Sequence, residues 1–347
     1  MPNTKTLYIT GAGASSEVGL PTGRELKSRI AERLDLRQIG GDRCILDALN
    51  NHLNNSENPE TQVALYVKAA RQIRDAMPLA ESIDNFMNIR KGDEKIELCG
   101  KLAIVRSILD AEKRSRLWFD TSNSKNRLSF ADVEETWYGA FIKLLTENCT
   151  KEDLMTRLKS IALVVFNYDR CIEHFLFNAF QNVYSCDHEE AGGFVQGIEI
   201  YHPYGIVGSL PWQGGQSVAF GEEEVDPLRL LGLAQQIKTF TEGTDPQSSD
   251  IVAIREHVAK ASRIVFLGFA YHRENMKLLR PDGHIFDSSR PPGSCFGTAK
   301  GISSSDCEII KREICPSYKR SMTAMELRSD LDCHRLFAEY RRGLSLD

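Results

Sequence analysis

Four short stretches of this chain place glycine or polar residues directly after apolar, β-prone runs, and chemistry is to be sought there. Thr6-Leu7-Tyr8-Ile9-Thr10 opens into Gly11-Ala12-Gly13-Ala14-Ser15 and then Gly19-Leu20-Pro21-Thr22-Gly23-Arg24. A strand feeding a glycine turn, with a helical pattern over Glu25–Leu34 close behind, is how α/β folds set backbone N–H groups and a helix N-terminus against the phosphates of a dinucleotide. The spacing departs from the dinucleotide fingerprint G-x-G-x-x-G, because Ser16 stands where the third glycine would be. Ile161-Ala162-Leu163-Val164-Val165-Phe166, the continuous apolar run of a buried parallel strand, ends in Asn167-Tyr168-Asp169, and ligand-binding groups belong at such strand ends. Ile198-Glu199-Ile200-Tyr201 alternates like a strand and delivers His202, with Gly205 three residues on. Ser262 to Leu267 is another buried-strand run, ending in Gly268-Phe269-Ala270-Tyr271-His272. Each stretch also has a plainer use: a structural turn, Asn167 and Asp169 as caps for a helix over Cys171–Phe180, His202 as a satisfied histidine at a strand end.

These positions require a framework of strands whose ends meet. The pattern is βα at the front, a long helical region, then alternating strands and helices, which predicts an α/β fold: a Rossmann-like parallel sheet with an all-α insertion. Residues 1–40 and 151–282 form the two parts of the nucleotide-binding core, residues 41–150 the insertion over one mouth of the pocket, and residues 283–347 a C-terminal extension. Within the insertion, Thr61–Ala76, Glu94–Leu117 and Ala131–Leu145 carry apolar residues at three- and four-residue steps, the period of an amphipathic helix. Asp120–Ser129, rich in Ser and Asn, reads as a surface loop. A helical tail over Met325–Arg342 and a Pro291-Pro292-Gly293 turn are candidates for oligomer or partner contacts, though a packed terminal helix explains the tail equally well.

Composition bounds the class. The 347 residues are 41% hydrophobic and 26% charged, with 43 basic against 48 acidic side chains for a net charge of −5; that supports a sizeable core and gives no reason to expect direct nucleic-acid binding. No apolar stretch approaches the roughly 20 residues of a membrane span, and the N-terminus lacks a signal-peptide pattern, so the expectation is a cytoplasmic protein without membrane contact. Nine cysteines, Cys44, Cys99, Cys149, Cys171, Cys186, Cys295, Cys307, Cys315 and Cys333, are scattered at spacings that suit neither a zinc site nor a disulfide framework. His272, His284 and His334 form no ligand pairing with their nearest cysteines, so no metal is expected.

Gly-Ala-Gly-small-Ser, three residues, then Gly-apolar-Pro-x-x-Arg resembles the first nucleotide-binding motif of the sirtuin superfamily through Arg24. The resemblance extends to Asn167-x-Asp169, to the catalytic histidine–glycine element at His202 with two residues inserted before Gly205, and to the glycine strand end at Gly268, where sirtuins usually have Gly-Thr-Ser and this chain has Ala270 in place of the serine. It implies that Gly11, Ala12, Gly13, Ser15, Pro21, Arg24 and Gly268 contact NAD+. It further implies that Asn167 positions the nicotinamide ribose and an attacking water, that Asp169 contacts the carboxamide, and that His202 is the general base. Asn275 would offer the ribose the polar group that Ala270 lacks. Ser82-Ile83-Asp84-Asn85-Phe86 resembles a segment of prokaryotic sirtuin-like defence proteins whose aspartate lies near the NAD site, which makes Asp84 a secondary candidate; an N-cap on an amphipathic helix, from Ser82 or Asp84, is the alternative.

Sirtuin deacylases carry a zinc ribbon of two Cys-x-x-Cys pairs, and this chain has none. A zinc-less sirtuin-type domain with a helical insertion is similar to the NAD-hydrolysing effectors of bacterial antiphage systems, closest to the type paired with HerA ATPases. The resemblance implies an NAD+ glycohydrolase (NADase) releasing nicotinamide and ADP-ribose in abortive infection, a homo-oligomer with a HerA-type ATPase or another defence partner, and low activity until a partner or assembly triggers it. An NAD-dependent deacylase or ADP-ribosyltransferase, and a non-catalytic NAD or ADP-ribose sensor, stand as alternatives.

Overall fold

Every strand of the sheet runs in the same direction. In the computed structural model, which describes residues 6–36, 41–123, 125–215, 217–239, 242, 248–280, 293–317 and 325–346, the strands are β1 (Thr6–Thr10), β2 (Ile161–Val165), β3 (Glu199–Tyr201), β4 (Arg263–Leu267), β5 (Ser294–Thr298) and β6 (Met325–Arg328). They pair in the order 3-2-1-4-5-6, all parallel, which is the order of doubly wound dinucleotide-binding sheets. The expected Rossmann-like α/β architecture is therefore present. Pro291, Pro292 and His284, and the side chain of Cys315, lie outside the described residues.

Helices cover both faces, so the inner strands are apolar throughout rather than alternating. Tyr8 of β1 stands opposite Leu163 of β2 and Val265 of β4, and all five β1 residues are buried. Period-two geometry sends neighbouring side chains into different cores. Leu7, Ile9, Ala162, Val164, Ile264 and Phe266 join one core; Tyr8, Leu163, Val165, Val265 and Leu267 join the other. The sheet edge at β3 is only three residues long and partly exposed, a usual way of blunting an edge strand.

The helices between β1 and β2 divide between these faces. Helices Arg43–Leu53, Pro59–Ala76 and most of Glu94–Lys113 pack into the first core, whereas Trp137–Thr146 and Lys151–Leu158 pack into the second. Side chains cap their starts: Asp93 accepts from Lys95 and Ile96 N–H at the head of Glu94–Lys113, and Thr136 accepts from Gly139 N–H at the head of Trp137–Thr146. The amphipathic pattern over Ala131–Leu145 thus resolves into a 3₁₀ turn at Ala131–Val133 and a capped helix, since Thr136 competes for the local N–H groups. The described part of Asp120–Ser129 is an exposed loop apart from half-buried Asn126 and buried Leu128.

The tail differs from the expected single helix. Met325–Arg328 is β6, paired with β5 from Cys295↔Met325 to Thr298↔Arg328, and helices Cys333–Glu339 and Arg341–Leu344 follow. Four residues of alternating burial at the end of a parallel sheet look the same in sequence as one helical turn; the open edge of β5 decides between them. The tail returns to the core through Glu17, whose carboxylate accepts from Trp137 N–H at 2.7 Å and His334 N–H at 3.0 Å. A single acidic side chain from the glycine loop thereby caps two helix N-termini. No helix among the described residues is long and apolar enough to cross a membrane.

Candidate active site at the strand ends

Strand order reverses beside β1, and ligands of doubly wound sheets bind in the crevice this reversal opens at the strand C-termini. Here the ends of β1 and β4 touch. A Cβ on Gly268 would lie 2.0 Å from the Ala14 nitrogen and 2.2 Å from the Gly13 carbonyl carbon, at φ +55°; one on Gly13 would lie 2.8 Å from Gly268 Cα. Glycine is thus required for the two loops to meet, before any ligand is considered. The N–H groups of Gly11, Gly13 and Ala14 donate to Leu267, Gly268 and Gly11 carbonyls at 3.0, 3.0 and 2.9 Å. In this conformation, three of the loop donors expected to face phosphate are engaged within the fold. The helix Gly23–Arg33 begins after buried Pro21 with a capping box, Glu25 accepting from Thr22 N–H and hydroxyl at 2.8 Å each; Arg24 stands exposed on its first turn.

Ser15 ties the first motif to the second. Asn167 Nδ2 donates to Ser15 Oγ at 3.0 Å, and Ser15 Oγ donates to Asp169 Oδ1 at 3.2 Å. The Tyr138 hydroxyl, from the second half of the insertion, lies 3.4 Å from the same Oγ. Ser15, Asn167 and Asp169 are all buried, whereas Ala12, Gly13, Gly268 and Asn275 are half-buried around them and Ala270 is exposed. Burial pushes the Asp169 carboxyl above its ordinary range, against the hydrogen bonds of Cys171 and Ser15 that pull it down. The cap use of this triplet is also real in part: Asp169 accepts from Cys171 N–H at 3.2 Å at the head of helix Cys171–Tyr184.

His202 follows β3 and reaches this cluster. Its Nδ1 lies 3.3 Å from the Asn167 carbonyl oxygen and its Nε2 2.7 Å from Glu173 Oε1. Burial alone would lower the basicity of the ring, but the Glu173 carboxylate, through charge and hydrogen bond, and the Asn167 carbonyl together raise it above the ordinary histidine value. The two residues between His202 and Gly205 make a tight turn: Gly205 N–H donates to His202 C=O at 3.0 Å. Gly205 has φ +74°, and a Cβ there would sit 1.9 Å from the Gln236 carbonyl oxygen. The inserted Tyr204 turns inward and donates to Asn275 Oδ1 at 2.6 Å.

Asp84 and Asn275 belong to a neighbouring group around Tyr168. The Tyr168 hydroxyl hydrogen-bonds Asp84 Oδ1, and burial pushes the Asp84 carboxyl up. Of the two candidate caps, Ser82 is the one that accepts from Asn85 N–H, at 3.0 Å, so Asp84 is left to join the insertion to the core. Phe166 packs edge-on to Tyr204 and against Phe269, with centroids 5.9 and 5.1 Å apart, so the ends of β2 and β4 share one aromatic floor. Ser15, Asn167, Asp169 and His202 thus form one group and Tyr168, Asp84, Tyr204 and Asn275 an adjoining one, whereas Arg24 of the first motif stands exposed on the following helix.

Residues outside the motifs complete the site. Arg170, next to Asp169, and Glu112, in the last turn of the insertion helix Glu94–Lys113, are both fully buried. Arg170 Nε lies 3.1 Å from Glu112 Oε1, its guanidinium donates to the carbonyls of Val218 and Ala219 at 2.6 and 3.2 Å, and Glu112 accepts from Gly221 N–H at 3.0 Å. A charged residue inside an apolar helix pattern, Glu173 in Cys171-Ile172-Glu173-His174-Phe175, was the available signal for the histidine's partner. Nothing local marks Tyr138 or Glu112, because each acts on a residue dozens of positions away. No group of three or more His, Cys, Asp or Glu among the described residues is arranged to hold a metal. Compared with models of known protein families and with curated proteins, the chain matches none.

Proposed function

We propose that the chain is an NAD+ glycohydrolase. The observation that carries the reading is the meeting of Ser15, of Asn167 with Asp169, and of His202, from three separate strand ends, in one polar cluster beside the switch point of a 3-2-1-4-5-6 sheet. That is the part of such a sheet where dinucleotides bind.

The chemistry asks mainly for position and charge. Nicotinamide leaves neutral from a pyridinium, taking the electron pair of the glycosidic bond and leaving an oxocarbenium-like ribosyl cation; water adds at that carbon and its proton goes to a base. Asn167 holds ribose and water, Asp169 orients the carboxamide, and His202 accepts the proton. Water is favoured as acceptor because the zinc-ribbon cysteine pairs that accompany a peptide groove in deacylases are absent from the sequence. The sirtuin-like resemblance extends the proposal to an NAD-depleting antiphage effector, cytoplasmic and homo-oligomeric, that works with a HerA-type ATPase or another defence partner.

The test is nicotinamide and ADP-ribose release from NAD+ by the purified chain, alone and with its genomic-neighbour partner. Asn167→Ala and His202→Ala each lower turnover by ~10²–10⁴ while the fold persists. Native turnover in His202→Ala would remove the base assignment, and no release under any condition would remove the glycohydrolase reading.

A further inference from the structure

We propose that Glu173 is the positioning residue that fixes hydrogen on Nε2 of His202 and holds the ring in its protonated form, an inference that rests on the glycohydrolase reading for its chemistry. Glu173 is 4% exposed, on the first turn of helix Cys171–Tyr184. Burying a carboxylate is costly unless it is paired and hydrogen-bonded. Oε1 has His202 Nε2 at 2.7 Å, and Oε2, equally buried, has no hydrogen-bond partner among the described residues. The carboxylate therefore rests on one imidazole nitrogen for its side-chain hydrogen bond.

The hydrogen-bond chemistry then assigns the ring. A carboxylate only accepts, so the Nε2 that faces it carries hydrogen, and in the neutral ring the lone pair sits on Nδ1. Nδ1 faces a second pure acceptor, the Asn167 carbonyl oxygen at 3.3 Å. That contact becomes a hydrogen bond only once Nδ1 is protonated. The pocket is thus matched to the imidazolium: Glu173 holds one N–H, Asn167 C=O the other, and the nearby Asp169 carboxyl acts on the ring in the same direction.

The test needs a readout that does not depend on turnover. Full-length protein labelled at histidine is titrated by NMR as wild type, Glu173→Gln and Glu173→Ala, with His202→Asn to assign the resonance and circular dichroism to check folding. The His202 midpoint is expected above the ordinary value of about 6.5 in wild type and to fall by roughly 1–3 units in both variants. The acidic limb of the pH profile for NAD+ hydrolysis moves down with it, with kcat lowered more than KM is raised. An unchanged His202 titration in folded Glu173→Gln overturns the pairing. A shifted titration with an unchanged pH limb overturns His202 as the group whose protonation sets that limb. If wild type titrates as expected yet never hydrolyses NAD+, the glycohydrolase reading fails and the His202–Glu173 pairing stands.

Discussion

Arg170→Met is the substitution whose cost can be worked most directly from the structure. It deletes a fully buried guanidinium that bonds Glu112 and the carbonyls of the 208–219 segment, and it leaves Glu112 as a buried charge without its counter-ion. Breaking a buried pair from one side typically costs ~3–5 kcal/mol. Unfolding entropy of ~2.1 cal/mol/K per residue, spread over 347 residues, is about 0.7 kcal/mol/K, so the midpoint of thermal unfolding falls by ~4–7 °C. Glu112→Leu alone strands the guanidinium and costs a similar amount. The Glu112→Leu/Arg170→Met double variant recovers part of that stability, because an apolar pair of comparable size carries no desolvation penalty while Gly221 N–H and the Val218 carbonyl lose their bonds to the pair. Differential scanning calorimetry of the three variants measures this directly. A midpoint for Arg170→Met within about 1 °C of wild type, or a double variant as unstable as both singles added together, would refute the argument that this pair locks the insertion helix to the end of β2.

Three further perturbations follow from the same geometry. Gly268→Ala and Gly92→Ala both force a positive φ, at +55° and +89°, but nothing lies within 4 Å of a Cβ at Gly92; Gly92→Ala is expected to cost ~1–2 kcal/mol in chemical denaturation and Gly268→Ala several more, and equal costs would mean that β1 and β4 do not need their close approach. His174, stacked on Phe220 at 4.0 Å, has its pKa lowered to about 3, by burial first. The unfolded chain binds the extra proton below about pH 6.5, so this contribution is present above that pH and fades as pH falls toward 3. His174→Asn therefore flattens the acid limb of stability, measured by urea unfolding, by roughly 3–5 kcal/mol, and an unchanged slope would sink the assignment. Tyr168→Phe removes the donor to half-buried Asp84 and lowers stability by ~1–3 kcal/mol, with Tyr168→Phe/Asp84→Leu recovering most of it; unchanged stability in the single variant would show that this contact does not tie the insertion to the core.

The inner strands were legible because a strand covered on both faces must be apolar along its whole length, and Ile161–Val165 and Ile264–Leu267 have no other simple reading. The strand-end residues were legible for the same reason, since Asn167, Asp169 and Gly268 stand where apolar runs stop. β6 was not, because its four residues carry no period long enough to separate a strand from a helical turn, and the unpaired side of β5 supplies the deciding information. The use of the glycines was only half visible. Gly11 and Gly13 mark a place where backbone comes close to something, and the sequence does not say that the something is Gly268.

By itself, the sequence determined which residue types stand at the ends of which strands, since burial and chain direction follow from local pattern. The tertiary structure decided which of those ends meet. Parallel pairing in the order 3-2-1-4-5-6 brings Ser15 to Asn167 across 152 positions and Glu112 to Arg170 across 58, and no local signal encodes a contact whose energy exists only when two distant segments exclude water together. The same holds for His202: its position after β3 is written in the chain, but its tautomer and raised basicity come from Glu173, a residue 29 positions away that touches it only in the fold.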